Sequence, residues 1–215
     1  MIGGFFEPPK KDTNTSELDP VVVVVILGTD TSNGESKLIV PIKGKPAIRR
    51  VAEAAIASKA KHVMVVAGNE TETVEKALEG LELRITPNKE YQKGETTYVT
   101  AGLNAASEVA EAVLFLPGNL AAIGPSLIDE ILDGWMISQK SIVIPSYENT
   151  TGHPILIGRY YFLDVLAISE EGKPLKDLVE LHQDETHYVA VKSPAILLDV
   201  NKPEDTEQLY KLLPE

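Results

Sequence analysis

Cysteine is absent from the 215-residue sequence, which excludes disulfides, thiolate nucleophiles and cysteine-ligated metal. Positive charge is in short supply: 20 Lys plus Arg stand against 32 Asp plus Glu, for a formal net charge of −12. That balance argues against binding nucleic acid or an anionic membrane, because both partners need a basic face. It leaves room for phosphate-bearing small ligands, which a few backbone amides and one or two lysines can hold within an acidic protein. Long apolar runs are also missing. The longest, Val21 to Leu27, has seven residues, far short of the ~20 that span a bilayer. It follows Glu17, Asp19 and Pro20, which is not the layout of a signal peptide. The chain therefore reads as a soluble, cytosolic protein.

Familiar catalytic signatures are missing too. There is no GxSxG elbow, and the four histidines (His62, His153, His182 and His187) show no HExxH spacing, against an α/β-hydrolase and a helical zinc site. After residue 20 there is no repeat, low-complexity tract or linker. Residues 1–20, rich in Pro, Thr, Asp and Lys after IGGFF, read as an extended arm laid over the surface or a neighbouring subunit. Residues 21–215 read as one domain.

What is present is 43% hydrophobic and 24% charged residues, an ordinary globular composition. Short β-branched runs alternate with helical patterns. Val21 to Leu27 is the continuous apolar run of a strand buried on both faces. Pro46 opens a helix with Ile48, Val51, Ala52, Ala55 and Ile56 on one face. His62 to Ala67 is a strand, and Asn69 with Glu72 resembles a capping box for a helix that Gly80 closes. Leu83 to Thr86 is a short strand, Thr97 to Ala110 a helix and Ala112 to Leu116 another strand. Pro125 starts a helix carrying Leu127, Ile128, Ile131 and Leu132. Strands are expected at Ser141–Pro145, Pro154–Ile157, Tyr188–Val191 and Ala195–Leu198. Helices are expected near Arg159–Ile168, Leu175–Gln183 and Pro203–Leu213. The alternation gives an α/β fold: three layers around a doubly wound, mostly parallel, Rossmann-like sheet.

In such a sheet ligands sit beyond the carboxyl ends of the strands. The loop after Leu27 reads GTDTSNGESK, Gly28 to Lys37. Its composition suits a phosphate cradle finished by a lysine and suits a solvated connection equally well. It is neither GxGxxG nor a P-loop, since five residues separate Gly28 from Gly34. Asn119, in the PGNLAAIGP segment after the fourth apolar run, faces the same crevice but also suits a simple turn. Asn201, before Lys202 and Pro203, likewise suits a helix N-cap.

Taken together, the segments resemble the MobA-like nucleotidyltransferases, the family of the molybdenum cofactor cytidylyltransferases and guanylyltransferases, akin to nucleotide-diphospho-sugar transferases. VILGTDTSNGESKLIVPIKGKPAI at Val25–Ile48 is similar to LAAGxSxRMGxxKLL…GKPLI, and NKEYQKGETTYVTAGL at Asn88–Leu103 to N…GMxxSLxxGL. LFLPGNLAAI stands where the family has GDxP, GHPILI at Gly152–Ile157 resembles the GHPV element, and LLDVNKPED resembles DxDTPED. The resemblance implies transfer of CMP or GMP from a nucleoside triphosphate to a phosphorylated acceptor such as molybdopterin, with Mg²⁺. It implies nucleotide or substrate contacts from Leu27, Gly28, Thr29, Ser32, Gly34, Thr96, Thr97 and Gly102, with Lys37 as the phosphate lysine. Gly152 and His153 fall at the acceptor side, and the two metal positions fall on Asn119 and Asn201.

The chain departs from that pattern where charge matters. The loop lacks the family's arginine, and both metal positions are amides. Nearby carboxylates (Asp30, Glu35 or Asp199) can replace the missing groups in an active enzyme. Alternatively, the chain is a catalytically impaired relative that binds a nucleotide or cofactor, or an accessory protein. A homodimer is a further expectation.

Overall fold

The structure, a computed structural model, describes residues 20–28 and 37–213. The expected arm and loop positions Thr29, Asp30, Ser32, Gly34 and Glu35 therefore lie outside the described residues. In chain order the elements are β1 (Val22–Gly28), β2 (Pro41–Ile42), β3 (Lys45–Pro46), α1 (Ala47–Ile56), β4 (His62–Ala67), α2 (Thr71–Ala77) and β5 (Arg84–Pro87). Then come α3 (Thr96–Ala106), β6 (Ala112–Pro117), α4 (Pro125–Ser138), β7 (Ile142–Tyr147), β8 (Thr150–Thr151) and β9 (Ile155–Gly158). The described chain closes with α5 (Phe162–Glu170), α6 (Leu175–Leu181), β10 (Thr186–Ala190) and α7 (Thr206–Leu212). Eight strands form one sheet in the order β10-β7-β9-β6-β1-β4-β5, with β8 paired to β7, while β2 and β3 form a small separate hairpin.

The two-residue period of a strand divides the core. Along β1, Val22, Val24 and Ile26 join Ile48 and Val51 of α1 and Ile128 and Ile131 of α4 on one face. Val23, Val25 and Leu27 join Val99 and Leu103 of α3, Val165 of α5 and Leu178 of α6 on the other. Every residue of β1 is buried, which is why the sequence there is apolar without alternation. A mostly parallel sheet with helices on both sides results, as expected.

The sheet is nevertheless mixed. β9 runs antiparallel to both β6 and β7. Parallel neighbours need a long crossover, and here β7 turns back tightly through Glu148 and Asn149, both at positive φ. β8 and β9 then lie along the same strand, β7. Ser146 pairs with Thr151 and Val143 with Leu156. Ile144 and Pro145 of β7 thus face the longer stretch from Gly152 to Ile155. Gly152 donates its amide to Pro145 O at 3.0 Å. This bulge displaces Gly152 and His153 from the ladder, as bulges beside sites do.

Three local expectations are corrected. Ala195–Leu198 is no strand: Pro194–Ile196 is a 3-10 turn, in which Ser193 Oγ accepts the Ala195 amide at 3.2 Å. Proline offers no ladder donor, and the serine hydroxyl captures a nearby N–H first. The capping box at Asn69 does not form. Helix α2 has Glu70 at its N-cap without a side-chain hydrogen bond, and Asn69 Oδ1 instead accepts from Tyr91 OH at 3.2 Å. Asn201 is not an N-cap either: Pro203–Asp205 forms a 3-10 turn, and Asp205 stands at the N-cap of α7.

Candidate active site

Two backbone contacts build the site. Gly118 donates its amide to Leu27 O at 2.9 Å, and Val200 donates to Asn119 O at 3.2 Å. The end of β1, the PGN bend after β6 and the LLDVNKPED segment are therefore stitched together at the carboxyl edge of the sheet. The strands at this edge are parallel and adjacent, so their outgoing turns open into one crevice. A third contact ties in the bulge before β9: His153 donates its amide to Ile196 O at 3.1 Å.

The cavity so enclosed measures about 720 Å³, within the range of small-molecule sites. Leu27, Pro117 and Asn119 line it from the sheet, and Lys93, Glu95 and Thr96 from the start of α3. Gly152 and His153 line it from the bulge before β9, Lys173 and Lys176 from the entrance to α6, and Asp199 and Lys202 from the segment before α7. Among the described residues four lysines and two carboxylates line it, in a protein whose net charge is −12; Lys93 is paired with Glu90 and Lys173 with Glu171. Lys176 and Lys202 enter no ion pair among the described residues, and such cations in an acidic chain favour an anionic ligand.

Of the sequence candidates, Leu27, Thr96, Asn119, Gly152 and His153 come together on this cavity. Lys37 lies in a short 3-10 turn, Lys37–Ile39; its side chain, with Thr29, Ser32 and Gly34, falls outside the described structure. Gly28, Thr97, Gly102 and Asn201 are not on the lining. A Cβ on Gly28 would lie 2.6 Å from Val66 O, and one on Gly102 would lie 2.3 Å from Val25 Cγ1. Both glycines are explained by close packing of β1 against β4 and of α3 against the sheet. Thr97 Oγ1 donates to Gly94 O at 2.6 Å and accepts from Asn88 Nδ2 at 2.8 Å, so it fastens the loop entering α3. Asn201 sits beside the site, its amide donating to Asp199 Oδ1 at 2.7 Å. The cavity lysines Lys93, Lys173, Lys176 and Lys202 were not singled out from sequence. They belong to no spacing motif, and only the fold brings their three distant segments together.

Asn119 is only 8% exposed, and its Oδ1 has no hydrogen-bond partner among the described residues. A buried amide oxygen without a donor costs about 1–3 kcal/mol, which points to a ligand, ion or water at that atom. Asp199 completes the polar bend. Its Oδ1 accepts from Asn201, and its amide donates to Asp205 Oδ2 at 2.8 Å. Among the described residues no group of three or more His, Asp or Glu side chains is placed to hold a metal ion.

Burial, reinforced by the charge of Lys176, pushes the His153 imidazole down to about 4. The unfolded imidazole titrates near 6.5, so between those values the unfolded chain binds the extra proton. Stability is therefore full above pH 6.5 and falls as pH drops toward 4. The expected result is a neutral His153 in imidazole NMR spectra down to about pH 4. Replacing it by Asn should flatten the pH dependence of urea unfolding in this window. An imidazole titrating near 6.5 would refute the burial argument.

Among the described residues, no helix is long and apolar enough to cross a membrane. No curated protein matches the sequence. Solved structures share the fold. A Mycobacterium sp. strain JC1 homolog of M. tuberculosis Rv0371c superposes with TM-score 0.74 at 21% identity, covering 88% of this chain and 95% of that one. Rv0371c from M. tuberculosis H37Rv, solved as a complex with manganese, gives TM-score 0.74 at 16% identity, with coverages of 91% and 100%. Molybdopterin-guanine dinucleotide biosynthesis protein A from Archaeoglobus fulgidus gives 0.66 at 16%, with coverages of 90% and 97%. The family model of the MobA-like NTP transferase domain matches residues 25–187. With the sheet order, the stitched strand ends and this match in hand, the chain belongs to the MobA-like NTP transferase family.

Proposed function

We propose that the protein transfers a nucleotidyl group, CMP or GMP, from a nucleoside triphosphate to a phosphorylated small-molecule acceptor such as molybdopterin. The observation that carries the reading is the cavity of four lysines at the joined ends of β1 and β6, in an otherwise acidic chain. In the reaction an acceptor phosphate oxygen forms a bond to the α-phosphorus. The bond from that phosphorus to the β-phosphate oxygen breaks, and pyrophosphate leaves. The protein's task is to fix the two phosphates in line and to offset the charge that develops.

Lys93, at the entrance to α3, and Lys202, on the segment after Asp199, supply positive charge to the triphosphate. Thr96 and Leu27 line the same cavity. The uncoordinated Oδ1 of Asn119 and the carboxylate of Asp199 form an oxygen donor set that fits Mg²⁺ shared with the nucleotide, since such ions take few protein ligands beside substrate phosphates. These two residues would hold the ion, which supplies charge neutralisation on the triphosphate. The reading is tested by pyrophosphate release with CTP and GTP, Mg²⁺ or Mn²⁺, and a molybdopterin-type acceptor. Turnover with one nucleotide is expected; no release under any pairing would end it.

A second reading rests on the amides at Asn119 and Asn201: a relative that binds a nucleotide or cofactor without transferring it. Neither amide carries the negative charge that retains a divalent ion. This reading expects nucleotide to raise the melting temperature equally with and without metal. Metal-dependent stabilisation would count against it.

A further inference from the structure

At the amino edge of the sheet, the edge remote from the active-site cavity, lies a groove of about 290 Å³, below the ~300–1,000 Å³ of small-molecule sites. Its apolar lining is Pro20 and Val22 at the entry to β1, with Leu132, Trp135 and Met136 of α4. Val22 and Leu132 are buried members of the core on the α1 and α4 face, and Trp135 packs partly buried against that core. Met136 is 53% exposed. The groove is thus the margin at which this core opens to solvent. Lys59, Lys61 and Asp133 complete the lining, and Lys59 is paired with Asp133 at 2.8 Å.

The described chain enters β1 on the groove itself. Pro20 and Val22 both line it, while Val21 packs on the core of the opposite face, which is the two-residue period of extended backbone. Val21 O accepts the Glu111 amide at 2.8 Å, so the extended run already begins before β1. Pro20 carries it further back, because the residue before a proline is driven out of the helical region toward extended backbone. With Asp19 extended, Leu18 falls on the side of Pro20 and Val22. We propose that this groove is the docking site of the chain's own Glu17–Asp19 segment, with Leu18 packed on Trp135 and Met136. Lys59 and Lys61 give the groove a positive border that suits a segment carrying two carboxylates. The apolar IGGFF stretch is the rival occupant. Phe6 stands fourteen residues before Pro20, so it reaches the groove only by closing a loop, at an entropic cost that grows with length. Leu18 is two residues away and closes none. A second copy of the chain would compete with a tethered neighbour whose effective concentration is on the order of millimolar. So docked, the segment seals the core margin and holds the start of the arm on the edge away from the cavity.

Trp135 is the sole tryptophan of the chain, so its fluorescence reads the groove directly. In the full chain, Leu18→Ser should move the emission to longer wavelength and increase quenching by acrylamide, whereas Leu18→Met should leave both as in wild type. Phe5→Ser combined with Phe6→Ser should also leave both unchanged. In the wild type, nuclear Overhauser contacts are expected between the Leu18 methyls and the Trp135 indole. That measurement decides the matter even if Leu18→Ser fails to fold. Missing contacts, or an emission unmoved by Leu18→Ser, would overturn the assignment. An emission moved by the phenylalanine pair instead would give the groove to the IGGFF stretch. Contacts found only between labelled and unlabelled copies in a mixed sample would overturn it too, because the occupant would then be a second chain.

Discussion

Gly152→Ala should lower the stability of the protein by about 3 kcal/mol or more, the upper end of overpacking costs. The added Cβ would lie 2.3 Å from Ile196 O and 2.9 Å from Ile196 C. Both are backbone atoms, so no rotamer change relieves the clash. Two bonds anchor this bulge: the Gly152 amide to Pro145 O at 3.0 Å and the His153 amide to Ile196 O at 3.1 Å. Moving the 194–196 turn away breaks the second, and moving the bulge away breaks the first. For a chain of this size the loss corresponds to a melting temperature lower by about 6–12 °C. Because the same bulge presents His153 to the cavity, nucleotide binding there should fall in parallel. A variant that melts within about 2 °C of wild type would show that the turn can retreat freely, and that the glycine is not required by this contact.

The Gly152 contact also shows where sequence reasoning reaches and where it stops. The buried strands were legible because a parallel sheet covered on both faces demands unbroken β-branched runs, as in Val22–Gly28 and His62–Ala67. The face of α4 was legible from the spacing of Leu127, Ile128, Ile131 and Leu132, all buried. Ala195–Leu198 reads as a strand by composition, yet Pro194 and Ser193 turn it into the backbone rest against which Gly152 packs. No local pattern announces that pairing, because the partners lie more than forty residues apart. The candidate site divides in the same way. Leu27 and Asn119 meet because strand ends in this topology meet, and topology was readable; Asp199 joins them through the bond from Val200 N to Asn119 O and follows no strand. The cavity lysines lie in loops whose course depends on tertiary contacts. Conversely, Gly102 matches a family motif but is explained by Val25, 2.3 Å from a would-be Cβ. A motif position can serve packing as well as substrate.

Asn119→Asp should convert the bend into a stronger metal-retaining site and raise turnover on the order of 10²-fold, the scale set by one electrostatic stabiliser in a reaction of developing negative charge. Asn119 already has the required placement. It is 8% exposed, lines the cavity, and is tied through Val200 to the segment that carries Asp199. What it lacks is charge. In the absence of metal the new carboxylate is buried without a donor, so its folded pKa rises above the unfolded value of about 3.9. Its contribution is then undiminished below that unfolded value and is lost as pH rises through the folded one. The metal-free variant should therefore melt lower at pH 8 than at pH 5, by a margin the wild type does not show. Mg²⁺ or Mn²⁺ with nucleotide should remove that margin, because an ion neutralises the buried charge. Melting curves at the two pH values, with and without metal and nucleotide, check the stability claim, and pyrophosphate release checks the rate. A variant whose melting is indifferent to both pH and metal would place Asn119 away from any ion and reduce it to a turn residue. A variant that gains metal-dependent stability without gaining turnover would favour the nucleotide-binding relative over the transferase, since the missing charge would then not be what limits chemistry.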